Sequence, residues 1–322
     1  MTPRLGKALR WGVLLAIAAL LAVFARGVDW PAVGRAMRSA SVPLLLAATA
    51  VNLVSLLAKG VRWWLFLRRG GVSSLGVVLR ATVAGSGLNN VLPANAGEAA
   101  RVVFVARSES VPAADVLAGL ALERSFDVIG FVLLLVGAAA FVDVPPMLAR
   151  WRLPAIGVLA ALMLLLLLVA RRQAPAEAAE LAADAGLTLR VRAFIVRTVA
   201  SMTHAASPGA LAGALLLSLV AWGLQLATYH LAAMALHFPI TLGGTVTVLL
   251  AANLGFAVRT TPGGVGVFQL IYAVVAVRLG LPREAAISVA LLLQMLQILP
   301  VTLLGAALAP RMMWKAKGAR DI

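Results

Sequence analysis

The sequence predicts an all-α polytopic membrane protein with six full transmembrane helices, two re-entrant helix–loop–helix segments and an inverted repeat. Three observations carry this. Of the 322 residues, 62% are hydrophobic and only 12% charged, whereas a soluble domain is about half apolar and about a quarter charged. Apolar runs of about 20 residues, the length that crosses a bilayer, recur along the chain. Two further apolar segments are interrupted by Gly, Pro and Asn at corresponding places in the two halves. No stretch is polar enough to form a soluble domain, so residues 1–322 read as a single membrane domain.

The first span runs from about Leu9 to Ala25, behind Arg4, Lys7 and Arg10. A basic start and an apolar run also describe a signal peptide. The run is long and Arg26 follows without a small-x-small site, so an uncleaved helix is expected. The second span, about Val42 to Phe66, ends in a basic cluster of Lys59, Arg62, Arg68 and Arg69. Lys59 and Arg62 read as side chains that snorkel to the cytoplasmic interface, with Arg62 also within reach of a headgroup. Trp63 and Trp64 beside them read as an aromatic belt. The remaining spans cover about Ala113 to Val142, Leu153 to Ala170, Gly209 to Leu236 and Glu284 to Ala309. Gly209-x-x-x-Gly213 is a small-residue spacing that packs helices within or between chains.

Charge sets the orientation. With the N-terminus in the cytoplasm, the cytoplasmic segments hold 19 of the 28 Lys and Arg residues and the outer segments 8. The positive-inside rule then gives six crossings with both termini cytoplasmic. The net charge of +16 falls between apolar stretches rather than on one face. Its expected partners are therefore anionic lipid headgroups and not nucleic acid.

The two interrupted segments are residues 75–100, LGVVLRATVAGSGLNNVLPANAGEAA, and 242–268, LGGTVTVLLAANLGFAVRTTPGGVGVF. Each opens with a helix too short to span and then breaks. Irregular backbone at membrane depth is tolerated only where it is buried in protein or lines a wet cavity. Both segments therefore read as re-entrant. They align: Pro93 leads to Gly97 and Pro262 to Gly266, and a second proline, Pro112 or Pro282, precedes the next long helix. Under this alignment Arg124 falls opposite Gln294. The first repeat covers 42–142 and the second 209–309, in opposite orientation, as in many secondary transporters. Residues 171–205 between them read as a cytoplasmic amphipathic segment on the membrane surface or a solvated loop.

Ionisable groups inside such segments are costly and usually functional. Glu98 and Arg101 follow the first break, and Glu123, Arg124 and Asp127 lie within the third span. Two arrangements fit. In one, Arg101 and Arg124 hold a phosphate through their planar forks, and Glu98, Glu123 and Asp127 complete the groove. In the other, the same groups form a closed ion-pair network that pins the re-entrant segment to the helix. Asn89 and Asn90 either meet a headgroup or cap the helix ends left open by the break. The run Pro262, Gly263, Gly264, Val265, Gly266 offers close backbone approach and exposed N–H groups, but it has no Lys-Ser/Thr and no preceding strand, so it is not a phosphate loop. The chain has no cysteine and only His204, His230 and His237. No metal site, cofactor or catalytic motif is expected, nor an enzyme activity.

The stretches NNVLPANAGEAAR, SESVPAADVLAGLALERSFD and RTTPGGVGVFQ resemble the membrane domain of lysylphosphatidylglycerol synthases. That domain also occurs alone in bacterial and archaeal proteins, including ones linked to hopanoid or glycolipid metabolism. The resemblance covers about residues 10–310 and implies a flippase-like, stand-alone member, without the soluble aminoacyl-transferase domain, in a bacterial-type inner membrane. It carries over to Asn90, Pro93, Gly97, Glu98, Arg101, Glu123, Arg124 and Asp127 in the first repeat, and to Pro262, Gly263, Gly264 and Gly266 in the second. Family members often have Glu where Gln269 stands and Arg where Gln294 stands, so the second half here is poorer in charge. The expected function is translocation of an anionic, glycosylated or terpenoid lipid. A membrane-embedded transferase acting on a lipid-linked substrate, and a non-transporting partner of a lipid-synthesis enzyme, are the alternatives.

Overall fold

Apolar residues with few breakers make long helices, and the Gly, Pro and Asn clusters end them. The computed structural model describes residues 29–92, 96–141, 146, 150–171, 207–238, 240–257, 264 and 266–318. Among these it forms ten α-helices, one 3-10 turn at Arg68–Gly70 and no strand. The α-helices are α1 (Trp30–Arg38), α2 (Val42–Leu67), α3 (Leu75–Val91), α4 (Ala96–Ser108), α5 (Ala113–Phe141), α6 (Arg152–Arg171), α7 (Pro208–Ala235), α8 (Leu242–Ala257), α9 (Val267–Arg278) and α10 (Arg283–Gly318). Three of them, α2, α7 and α10, contain stretches long and apolar enough to cross a membrane. The expected first span, at about Leu9 to Ala25, and the amphipathic segment 171–205 (except Arg171, which ends α6) lie outside the described residues.

The expected helix bounds agree with α2, α5, α6 and α7 to within a residue or two, while α10 runs on to Gly318. The interrupted segments are longer than 75–100 and 242–268. Their second helices continue to Ser108 and Arg278, because nothing in VVFVARS or QLIYAVVAVR breaks a helix. Helix α1 falls in a stretch for which no element was expected. Asp29 caps it, its Oδ1 accepting from the Ala32 N–H at 3.0 Å, and Pro31 sits in its first turn, where a missing N–H costs nothing.

The chain forms two compact units. One comprises residues 51–225 and 300–322. In it α2 and α7 run antiparallel, since Ser55, Arg62 and Phe66 meet Ala221, Ser218 and Ala214 in turn. Helix α5 joins them through Phe66 on Phe126, ring centroids 5.5 Å apart, and Phe131 on Trp222 at 5.7 Å. The α3–α4 hairpin packs on α2 through Trp63, Leu67, Val78, Ala81, Val105 and their neighbours. The hairpin's outer end is clasped by Glu109, whose Oε2 accepts from the Ser73 and Ser74 N–H groups at 2.9 and 3.2 Å.

The other unit comprises residues 1–50 and 226–299. Its described part is α1, the start of α2, the end of α7, the α8–α9 pair and the first half of α10. Tyr229, Phe268 and Tyr272 form a buried aromatic group with centroids 6.0–6.3 Å apart.

Candidate functional site

The break after α3 is held by its own asparagines. Asn89 Oδ1 accepts from the Gly97 N–H at 2.8 Å, so it satisfies one of the donors left open at the start of α4. Asn90 Nδ2 donates to Thr302 Oγ1 on α10 at 3.1 Å. Gly97 is required for the hairpin to close: a Cβ there would run into the Gly85 carbonyl oxygen and the Asn89 side chain. Gly85 is equally tight, with the Gly97 carbonyl 2.8 Å from where its Cβ would stand. The two helices therefore cross at backbone contact, and this brings Glu98 and Arg101 against α5.

There the charged residues form one network. Arg101 Nη2 pairs with Glu123 Oε2 at 2.6 Å, and both side chains are buried. The Arg101 guanidinium also lies over the Trp63 ring, 4.5 Å from its centroid, a cation–π contact strengthened by exclusion of water. Arg62 is wholly buried and reaches Asp127 Oδ1 at 2.6 Å, Glu123 Oε1 at 3.9 Å and Ser218 Oγ at 2.8 Å. Arg124 pairs with Glu98, and with Asp127 Oδ2 at 3.2 Å. Lys59 Nζ donates to Gln225 Oε1 at 3.4 Å.

Exposure divides the network. Arg62, Arg101 and Glu123 form its closed side, at most 5% exposed. Arg124, Asp127 and Glu98 form an open side, with side chains 47%, 23% and 17% exposed. Removing water strengthens every pair on the closed side, but desolvation offsets much of that gain. Loss of one partner there leaves a charge with nothing to solvate it.

Two sequence readings are corrected here. Arg62 does not snorkel to the interface; it is the centre of the closed side. Trp63 is not a belt residue; it is fully buried against Arg101. Ser218 and Gln225, which also contact this network, were not expected. The available signal is helical spacing: Ser55, Lys59, Arg62 and Phe66 recur at i, i+4, i+7 and i+11 on one face of α2, and Ser218 and Gln225 lie seven apart on α7.

Of the other expected residues, Pro93, Pro262 and Gly263 lie outside the described residues. Gly264 and Gly266 belong to the second unit, at φ 66° and 89°, the left-handed region open to glycine. Gly266 precedes α9, and its N–H donates to Gln269 Oε1 at 2.6 Å. Gln269 Nε2 in turn bonds Gln294 Oε1. Counted along the helices, Gln269 is the third residue of α9 and Gln294 the twelfth of α10. Glu98 and Arg124 hold the same positions in α4 and α5, although the register that sets Gly97 on Gly266 places Glu98 two residues ahead of Gln269. The same two positions are linked in both halves, by an ion pair in the first and an amide pair in the second.

A UPF0104 membrane protein of Pyrococcus horikoshii is 25% identical to this chain over 297 residues, covering 84% of this chain and 88% of that protein. Residues 10–305 match the model of the lysylphosphatidylglycerol synthase TM region. The chain is a membrane protein and belongs to the lysylphosphatidylglycerol synthase TM region family.

Proposed function

We propose that this protein translocates a lipid with an anionic or polar headgroup across the inner membrane, with the headgroup passing the open side of the ion network while the acyl chains stay in the bilayer. The observation that carries the proposal is a set of seven ionisable side chains gathered at a helix break, part closed and part open. Intramembrane charge is expensive, and where it is kept it usually marks a path for polar cargo. The two arrangements left open by the sequence divide the network between them. Arg62, Arg101 and Glu123 pin the hairpin to α2 and α5. Glu98, Arg124 and Asp127 are available to a headgroup. A headgroup phosphate meets Arg124 by exchange with Glu98, one charge-assisted bond replacing another.

The same reading takes the matched links Glu98–Arg124 and Gln269–Gln294 as marks of an inverted repeat, with six crossings, two re-entrant pairs and both termini in the cytoplasm. Rocking of one repeat against the other would alternate access. The test is movement of fluorescent headgroup-labelled lipids in proteoliposomes, for wild type, Glu98→Gln and Arg124→Ala at matched folded yield. Movement by wild type and its loss in both variants is the expected result. No movement by wild type for any headgroup sinks the translocase reading and favours a transferase or a partner of a lipid-synthesis enzyme.

A further inference from the structure

The charges of the network do not balance. Its cations are Lys59, Arg62, Arg101 and Arg124; its carboxylates are Glu98, Glu123 and Asp127. Each arginine has a carboxylate of its own: Asp127 for Arg62, Glu123 for Arg101 and Glu98 for Arg124. Lys59 has none within salt-bridge distance among the described residues. Its ammonium carries three donors, and the one acceptor it meets among the described residues is the neutral amide oxygen of Gln225.

Lys59 is also on the wrong face for a lysine that serves only the interface. The outward face of α2 carries Val54 and Leu57, 50% and 42% exposed. Lys59 shares the opposite face with Ser55, Arg62 and Phe66, all buried. It lies within electrostatic reach of Asp127, Arg62, Arg124 and Glu123, yet remains partly exposed. A surplus cation held on the protein-facing side of an apolar helix is unfavourable unless an anion joins it or it gives up its proton.

We propose that Lys59, oriented by Gln225, is a phosphate subsite: it binds the phosphate oxyanion that brings the network to neutrality. This rests on the translocase reading only for the source of that phosphate, a lipid headgroup. Lysine suits the task as a compact charge that accepts phosphate from a range of directions. The surplus itself is independent of any transport.

The test is equilibrium binding to the purified full chain in detergent, read by native mass spectrometry. The probes are dioctanoyl phosphatidylglycerol, dioctanoylglycerol and inorganic phosphate, with wild type, Lys59→Gln and Lys59→Arg. Phosphatidylglycerol binding is expected to weaken about tenfold in Lys59→Gln, the size of one charge-assisted hydrogen bond, and to stay within about threefold in Lys59→Arg. Dioctanoylglycerol binding should be the same in all three. Competition by inorganic phosphate supports the shared chemistry; inorganic phosphate binding with no phosphatidylglycerol binding overturns the lipid source. Because Lys59 is the surplus charge, Lys59→Gln should melt no lower than wild type. Phosphatidylglycerol binding unchanged in a folded Lys59→Gln, or a melting point well below wild type, overturns the proposal. Binding lost in Lys59→Gln while wild type moves no lipid would reject translocation alone; binding unchanged while wild type moves lipid would reject the Lys59 subsite alone.

Discussion

In the first half of the chain the third residue of α4 and the twelfth of α5 are Glu98 and Arg124, an ion pair; in the second half the same positions in α9 and α10 are Gln269 and Gln294, an amide pair. The surroundings differ in the same sense. The first unit buries Arg62, Arg101 and Glu123, while every buried polar residue described in the second is neutral: Thr228, Thr245, Thr247, Gln269, Ser288 and Gln294. A glutamine pair holds two helices in register at small desolvation cost. An ion pair does so at higher cost, offset for Arg124 by the nearby Asp127 and Glu123 carboxylates. Geometry alone is served by the neutral version. The charged pair is also the partly open one, with Arg124 47% and Glu98 17% exposed.

The comparison can be broken most severely at the closed side. Glu123→Ala leaves both Arg101 and Arg62 short of a carboxylate and should lower unfolding stability by about 3–5 kcal/mol, measured by denaturation in mixed micelles. A loss under about 1 kcal/mol would mean that water enters the closed side. Gly97→Ala should cost about 3 kcal/mol or abolish folded yield, since its Cβ has no space against Gly85. Retention of the wild-type melting temperature in that variant would refute backbone contact between α3 and α4.

The neutral half can be rewired to sharpen the comparison. Gln269→Glu alone should destabilise by about 2–3 kcal/mol, as a buried carboxylate with no cation beside it among the described residues. Adding Gln294→Arg should restore at least about half of that loss, as coupled neighbours do in a double-mutant cycle. No recovery would mean that the two positions are not equivalent to Glu98 and Arg124. Smaller again is Asn89→Ala, which removes the cap on Gly97 and should cost about 1 kcal/mol by thermal melting of the detergent-solubilised protein.

The helices were legible in the sequence because apolar length and Gly/Pro/Asn punctuation are local properties. Glu98, Arg101, Glu123, Arg124 and Asp127 were legible for a related reason: charge inside an apolar run stands out. Arg62 and Trp63 were misread because the polar stripe of α2, Ser55, Lys59 and Arg62, is narrow on an otherwise apolar helix. So narrow a stripe gives weak contrast between faces, and a basic residue near the helix end then reads as interfacial. Only the packing of α7 and α5 decides that the Ser55–Lys59–Arg62–Phe66 face is the inner one. The asparagine contacts were half legible, since amides beside a break suit a cap and a ligand equally. The choice of Gly97 N–H and Thr302 Oγ1 as their partners depends on residues 8 and 212 positions away.

The most direct test of the account sets Arg124→Ala beside Gln294→Ala in proteoliposomes and measures the rate of headgroup-labelled lipid movement at matched folded yield. Arg124→Ala should fall at least about tenfold, one lost charge-assisted contact, and Gln294→Ala should stay within about threefold of wild type. Equal losses in the two variants, or a larger loss in Gln294→Ala, would contradict it.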